Sequence, residues 1–366
     1  MNLRLGKTGG AEGACAAAIA MTVGGIFTVD SARLYSRGNA AYLTLPLAAL
    51  LSLAVFMLSA EMLEKSGAKN LGELIKRAFG AALFPIFALL MFLALTISAY
   101  APLAQFVRAM HALFFDGVSY SKVVVFTLPA VFALALCGFE TVARTAKLFA
   151  FPLFAVLAAS IAASFSEFEL YRLYPLPGSG AASIAAQTLS LIGAFLPALL
   201  CLLVNADGLN GARTARRAGL IAALFAAGTV FIAQFALSLV YTYVELGEKF
   251  MPLFRMSYLN KFEAHFMRMD KLAHMLWLSG GMIAGAYYLY SGARLTSQGF
   301  DMRDVRPTIL GGAALMMLLI MLEVESAHTA AFARLKEAWS EWCFLFVSAL
   351  PLAAGIAAKA RAGRLS

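Results

Sequence analysis

Charge is scarce in this chain. Only 13% of its 366 residues are Asp, Glu, Lys or Arg, whereas 61% are hydrophobic and the mean hydropathy is +0.80. Soluble domains carry about 25% charged residues, so this composition cannot cover a surface that faces water. A water-soluble enzyme is therefore excluded, and we predict an all-α polytopic membrane protein with a single transmembrane domain over residues 1–366.

Cysteine and histidine are also rare, with four of each. The cysteines lie in or beside different apolar runs without a C-x-x-C pair, and the histidines form no i, i+4 pair, so we expect neither a disulfide nor a metal site. Phosphate-binding loops and nucleophile-elbow motifs are missing as well. We therefore expect no cofactor and no enzymatic activity.

What the chain has in abundance is long stretches without any charged residue. Each stretch is close to the ~20 apolar residues that cross a bilayer as a helix, and in lipid the backbone hydrogen bonds must close within that helix. We therefore predict ten transmembrane helices. The runs are 13–29, 38–60, 78–107, 123–139, 148–166, 173–206, 218–244, 272–293, 307–322 and 342–358.

The net charge of +9 is distributed unevenly between the connecting segments. The whole excess falls on the side of the N-terminus, and the opposite side is balanced. Loops rich in Lys and Arg mark the cytoplasmic side, so both termini are predicted in the cytoplasm, as an even number of helices requires. This distribution explains the basic charge without a nucleic-acid partner.

Two of the runs have the composition of a broken helix. Gly24 and Gly25 are adjacent in the first run, and Gly193 and Pro197 are one turn apart in the sixth. Close helix packing and a proline kink are the plain alternatives. The two segments are five helices apart, however, and interrupted helices at matching positions of two halves indicate a binding site near the bilayer centre. We predict discontinuous helices 1 and 6 in a five-plus-five inverted repeat, with repeats at about 10–166 and 180–360.

Hydroxyls, glycines and aromatic rings predominate around these breaks, and we expect no intramembrane charge there. Such a site suits a small zwitterion bound by helix-end dipoles. Ser279 is the candidate for a cation site. The predicted ligand-binding residues are Gly24, Gly25, Ile26, Thr28, Tyr100, Gly193, Phe195, Leu196, Ala284 and Tyr288.

Three stretches carry a family resemblance. Residues 138–147 read GFETVARTAK, residues 174–178 read YPLPG, and residues 266–270 read FMRMD. Together they resemble the B-subunit family of spore germinant receptors, the endospore germination permeases of the amino acid, polyamine and organocation transporter superfamily. The resemblance implies a LeuT-like fold in the inner membrane of the endospore, partner A and C subunits, and an L-amino acid bound between helices 1, 3, 6 and 8.

Five charged residues are candidates for gates. Glu140 and Arg144 are spaced i, i+4, which favours an ion pair at a cytoplasmic helix start. This pair is either an anchor at the membrane interface or an inner gate. The resemblance implies that Lys147 replaces a bound cation. Arg268 and Asp270, at the entry to helix 8, do not face each other on a helix and are expected to cap it or to meet other loops.

The outer segment 245–269 mixes charged residues with Phe, Met and Tyr. We predict an amphipathic hairpin over the outer vestibule, a lid, with a position on the lipid headgroups as the alternative.

The functional alternatives are a proton- or sodium-coupled amino acid transporter and a structural scaffold.

We expect Gly25→Leu or Gly193→Leu to fill a helix break and abolish the ligand response while the protein stays inserted. Ligand-dependent thermal stability measures this response. If either variant kept its response to the ligand, the binding site would lie elsewhere.

Overall fold

Every regular element in the part of the chain that the structure describes is helical. The structure, a computed structural model, describes residues 8–28, 34–35, 38–114, 119–174, 176, 178, 180–248, 251–258, 269–325 and 346–357. The helices are α1 (Gly10–Val23), α2 (Ala41–Ser66), α3 (Leu71–Phe79), α4 (Phe84–Phe114), α5 (Tyr120–Leu136), α6 (Phe139–Ala163), α7 (Ala181–Val204), α8 (Ala212–Val240), α9 (Tyr243–Glu248), α10 (Pro252–Tyr258), α11 (Met269–Gly299), α12 (Arg306–Glu325) and α13 (Phe346–Ala357). A π-helical turn, Gly24–Thr28, continues α1.

Seven of these helices are long and apolar enough to cross a membrane, namely α1 with its π turn, α2, α4, α6, α7, α8 and α12. α5 and α13 are shorter apolar helices, and α11 runs for 31 residues. Each uncharged run of the sequence therefore coincides with one helix. Large apolar side chains cover the outside, and Phe126 and Phe151 are each 83% exposed. Such a surface belongs in lipid, and the chain is an integral membrane protein. That all ten helices cross the membrane stays a prediction.

The long helices pack in pairs that are five runs apart. α1 packs on α7, α2 on α8, α4 on α11 and α5 on α12. Crossed pairs repeat the same relation, since α1 also packs on α8 as α2 does on α7, and α4 on α12 as α5 does on α11. An inverted repeat of five helices produces this pattern of contacts. The repeats at 10–166 and 180–360 stay a prediction that these contacts support.

Polar caps determine where the short helix α3 begins. Asn70 Oδ1 accepts a hydrogen bond from the Glu73 N–H at 3.0 Å, while Glu73 accepts one from the Lys69 N–H at 2.7 Å, as in a capping box. The Lys69 N–H, together with Arg77, holds the pKa of the Glu73 carboxyl below its ordinary value. Gly67 ends α2 in the left-handed conformation, with φ 64°. The connection between α2 and α4 is thus a fixed, capped element.

The connection between α6 and α7 is fastened to the ends of α2 and α8. The Glu169 N–H donates to Leu239 O at 3.0 Å, and Asn39 Nδ2 donates to Arg172 O at 3.1 Å. Ser238 Oγ in turn donates to Asn39 Oδ1 at 2.7 Å. Two short 3-10 turns, Phe165–Glu167 and Leu170–Leu173, keep this connection compact.

The predicted break at Gly193 and Pro197 is wrong for this structure, because α7 is helical throughout. Pro197 removes one backbone N–H, and polar side chains of neighbouring helices bond the carbonyls around it. Ser52 Oγ lies 3.4 Å from Ile192 O, and Tyr287 Oη donates to Ala198 O at 3.0 Å. These bonds attach α2 and α11 to α7, whereas the carbonyl that Pro197 leaves without its helix donor is that of Gly193.

The described part of the predicted lid is a pair of short helices, α9 and α10. α10 packs on α6, α8 and α11, and the side chains of Leu246, Leu253 and Met256 are buried. This part of the segment therefore packs on the helices rather than on lipid headgroups. Residues 249–250 and 259–268 lie outside the described residues, and the function of a lid stays a prediction.

The crossing of α2 and α8 offers a stability test. A Cβ on Gly219 of α8 would lie 2.2 Å from the buried Phe56 ring of α2, whereas one on Gly228 meets nothing within 4 Å. We expect Gly219→Ala to destabilise the protein by about 1–3 kcal/mol through overpacking. Gly228→Ala is the matched control on the same helix and should be neutral or slightly stabilising, because Ala favours helix. Thermal unfolding in detergent measures both, and equal effects would contradict the packing described here.

Candidate functional site

The two glycine-containing segments that the sequence singles out meet in the structure. A Cβ on Gly24 would lie 2.3 Å from the backbone oxygen of Ala194, and one on Gly25 would lie 2.6 Å from the Phe195 ring. The π turn of α1 thus crosses α7 at a distance that only glycine permits. Gly24 and Gly25 therefore permit close helix packing, which was the alternative to a broken helix. The π turn is the place where α1 departs from a regular helix. Such turns are common at functional sites.

Aromatic rings cover the π turn. The Phe27 ring centroid lies 5.0 Å from that of Phe106 on α4 and 5.0 Å from that of Trp277 on α11. Phe154 on α6 meets Trp277 edge to face at 6.1 Å. This aromatic cluster joins α1, α4, α6 and α11 beside the glycine crossing. None of its phenylalanines was among the predicted site residues, because isolated aromatics in apolar runs are indistinguishable from packing residues.

A small chamber adjoins the π turn, with a cavity volume of about 20 Å³. Ile26, a predicted ligand contact, lines it together with Tyr35 and Gln234. Tyr35 Oη donates a hydrogen bond to Gln234 Oε1 at 2.7 Å, and both side chains are buried. Met251 and Leu253 at the start of α10 close the chamber. We call this space the Gln234 chamber.

The glycines of α11 act as packing positions. A Cβ on Gly281 would lie 2.8 Å from the Phe106 ring, and one on Gly285 would lie 2.8 Å from Leu103. Between and beyond them, the predicted ligand contacts Ala284 and Tyr288 are buried. Ser279 donates to Met275 O of its own helix at 3.1 Å. Within the described residues no cluster of His, Cys, Asp and Glu could bind a metal ion.

A charge pair joins the ends of two long helices. Glu323, near the end of α12, is 3% exposed and forms an ion pair with Arg108 of α4. Tyr100, which was predicted to contact the ligand, donates its hydroxyl hydrogen bond to Glu323. The sequence signal was available, since Arg108 and Glu323 each end an uncharged run. The ends of the uncharged runs place both residues in loops, whereas α4 and α12 extend beyond those runs and include them.

A second buried charge pair lies near the end of α11. Arg294 donates to Asp207 Oδ2 at 2.5 Å and to Asn205 Oδ1 at 2.9 Å. Asn205 Nδ2 donates to Ser291 Oγ at 2.8 Å. The connection between α7 and α8 is thus bound to the end of α11 by a polar network.

Among the predicted gate residues whose side chains the structure describes, Lys147 alone bridges two helices. Glu140 and Arg144 form an ion pair at 2.5 Å, but both belong to α6. Lys147 Nζ of α6 lies 2.8 Å from Glu12 Oε1 of α1. Arg268 and the side chains of Asp270 and Thr28 lie outside the described residues. Phe195 and Leu196 are buried in α7, and Gly193 is half-buried.

Helices that pair at five-helix intervals around a glycine crossing define a class of membrane-protein fold, the LeuT fold. Solved structures of this class are similar to the chain. A substrate-bound, outward-open Na⁺-coupled sialic acid symporter gives a TM-score of 0.69 at 13% identity, over 93% of this chain and 78% of that one. A nucleobase-cation-symport-1 family transporter in a closed conformation gives 0.64 at 11% identity, over 98% and 93%. The manganese transporter of Eremococcus coleocola gives 0.54 at 15% identity, over 95% and 76%.

Within that class the sequence is more specific. A family model described as spore germination protein matches residues 16–328, and the chain belongs to this family. A comparison with curated proteins finds no match. The family resemblance drawn from the three sequence stretches is thereby confirmed.

The buried pair of Arg108 and Glu323 generates a prediction. Glu323→Gln leaves the partly exposed Arg108 charge without its counter-ion, and we expect this loss of a hydrogen-bonded partner to cost about 1–3 kcal/mol. Glu140→Gln is the matched control, because it breaks an exposed pair worth about 0.3–0.5 kcal/mol. Thermal unfolding of the two purified variants measures the difference. Equal stability of the two would show that the Arg108 pair does not hold α4 to α12.

Proposed function

We propose that this chain is the germinant-sensing membrane subunit of a spore nutrient receptor. In this proposal it binds a small L-amino acid where the π turn of α1 meets α7, with α4 and α11 completing the site. The observation that carries the proposal is the contact between Gly24–Gly25 and Ala194–Phe195, in a chain that belongs to a spore germination family.

The chemistry of this crossing suits a small ligand with few polar groups. A π turn changes the spacing of backbone N–H and C=O groups and leaves some of them open to a ligand. Apolar and aromatic side chains surround it, and the charged pairs Arg108–Glu323 and Arg294–Asp207 are satisfied by each other. A zwitterion bound by backbone groups fits such surroundings better than a multiply charged ligand.

Signalling requires that the ligand favours one of two conformations. In our proposal the Glu12–Lys147 ion pair, which joins α1 to α6, is the contact that differs between them. The protein would lie in the inner membrane of the endospore with both termini in the cytoplasm and pass the change to A and C subunits. The alternative is a proton- or sodium-coupled carrier with the same site. Such a carrier would show saturable uptake of the amino acid in proteoliposomes.

The first experiment is the thermal stability of the purified protein against L- and D-amino acids, nucleosides and sugars. A ligand at 100 times its Kd adds about 2.7 kcal/mol of stability, so we expect an upward shift for at least one small L-amino acid. The shift should disappear in Gly25→Ala, whose methyl group meets the Phe195 ring, and persist in the control Gly228→Ala.

Loss of folding in Gly25→Ala is separated from loss of binding by a second variant. Gly25→Ala combined with Phe195→Leu makes room for the added methyl group, so its stability should return towards that of wild type while binding stays weak. A wild-type protein that responds to no compound of the panel would contradict the proposed function. Uptake of the bound amino acid by proteoliposomes would favour the carrier.

A further inference from the structure

Gln234 is a buried polar residue in the apolar helix α8. It is 3% exposed, and its oxygen Oε1 accepts the hydrogen bond of Tyr35. The amide nitrogen Nε2 has no hydrogen-bond partner among the residues that the structure describes. A polar side chain inside an apolar membrane helix is by default a candidate for a functional site, so the presence of this amide needs an explanation.

The surroundings of the amide supply one. Gln234 lines the Gln234 chamber, whose volume of about 20 Å³ is enough for one water-sized group. Apart from Tyr35, the chamber wall is apolar and includes Ile26 and Phe27 of the π turn. An oxygen atom of a ligand placed at the π turn would reach this chamber without leaving the protein interior.

Two further features fix the geometry of the chamber. Burial raises the pKa of the Tyr35 hydroxyl, which therefore stays protonated and holds Oε1 of Gln234. Met251, on the opposite wall, has a left-handed backbone with φ 48°, a conformation that is uncommon for residues other than glycine and is found at ligand clamps. The amide is thus oriented by Tyr35 and enclosed by the start of α10.

We propose that the Gln234 chamber is a subsite in which the side-chain amide donates hydrogen bonds to a carboxylate or carbonyl oxygen of the bound nutrient. This inference rests on the proposed function and extends the site from α1 and α7 to α8. Tyr35 is its positioning residue, since it acts on the ligand through Gln234.

The test uses the full-length purified protein and the neutral L-amino acids, each with its methyl ester and its amino alcohol. We expect Gln234→Leu, which keeps the approximate size but removes both donors, to weaken binding of the free amino acid at least tenfold. Thr229→Val is the control on the same helix. The Thr229 hydroxyl donates to Phe225 O within α8, and Thr229 does not line the chamber, so this variant should change the affinity less than twofold. The amino alcohols, which lack the carboxylate, should bind wild type and Gln234→Leu with similar affinity.

A second readout needs no ligand. The double variant Tyr35→Phe/Gln234→Leu removes the polar pair together with the unpartnered donor, so its melting temperature without ligand should equal or exceed that of wild type. A fall of several degrees would show that Gln234 is structural and would overturn the subsite. Unchanged affinity in Gln234→Leu would overturn the subsite alone, whereas a wild-type protein that binds none of the amino acids would overturn the proposed function and the subsite with it.

Discussion

The close approach of the π turn of α1 to α7 is the contact on which the rest of the structure depends. Gly24 and Gly25 have no side chains, so the backbone of Ala194 and the ring of Phe195 come within van der Waals distance of the α1 backbone. This distance allows Phe27 to reach both Phe106 and Trp277. α1 is thereby placed between the helices that pair at five-helix intervals, and the Gln234 chamber opens beside it.

Two charge pairs hold different parts of this apolar assembly together. Arg108 and Glu323 join α4 to α12, while Arg294 joins the end of α11 to Asp207 after α7. Buried pairs of this kind contribute little net stability, but they are strongly destabilising when one partner is removed. They therefore specify which helices are neighbours more than they add to the free energy of unfolding. Between them the candidate site can remain almost free of charge.

Much of the fold follows from the sequence, because uncharged runs of about 20 residues dictate helices in lipid. Each of the ten runs coincides with a helix, and the glycine pair at Gly24 marks the site of the π turn. The continuity of α7 could not be predicted, since a glycine and a proline one turn apart are compatible both with a broken membrane helix and with a continuous, kinked one. The partners of Tyr100 and Lys147 likewise lie on helices far away in the chain. The ion pair of Glu140 and Arg144 could be predicted from their spacing within one helix. Ion pairs between helices could not, because they depend on which helices become neighbours in the fold.

The fastened connection between α6 and α7 has a mechanical consequence. Glu169 bonds the end of α8, and Arg172 bonds Asn39 at the start of α2, so this connection travels with those two helices as one body. A change in the tilt of α8 would therefore also displace the segment that leads into α7. The connection is hydrogen-bonded to the bundle at two points and does not hang free of it.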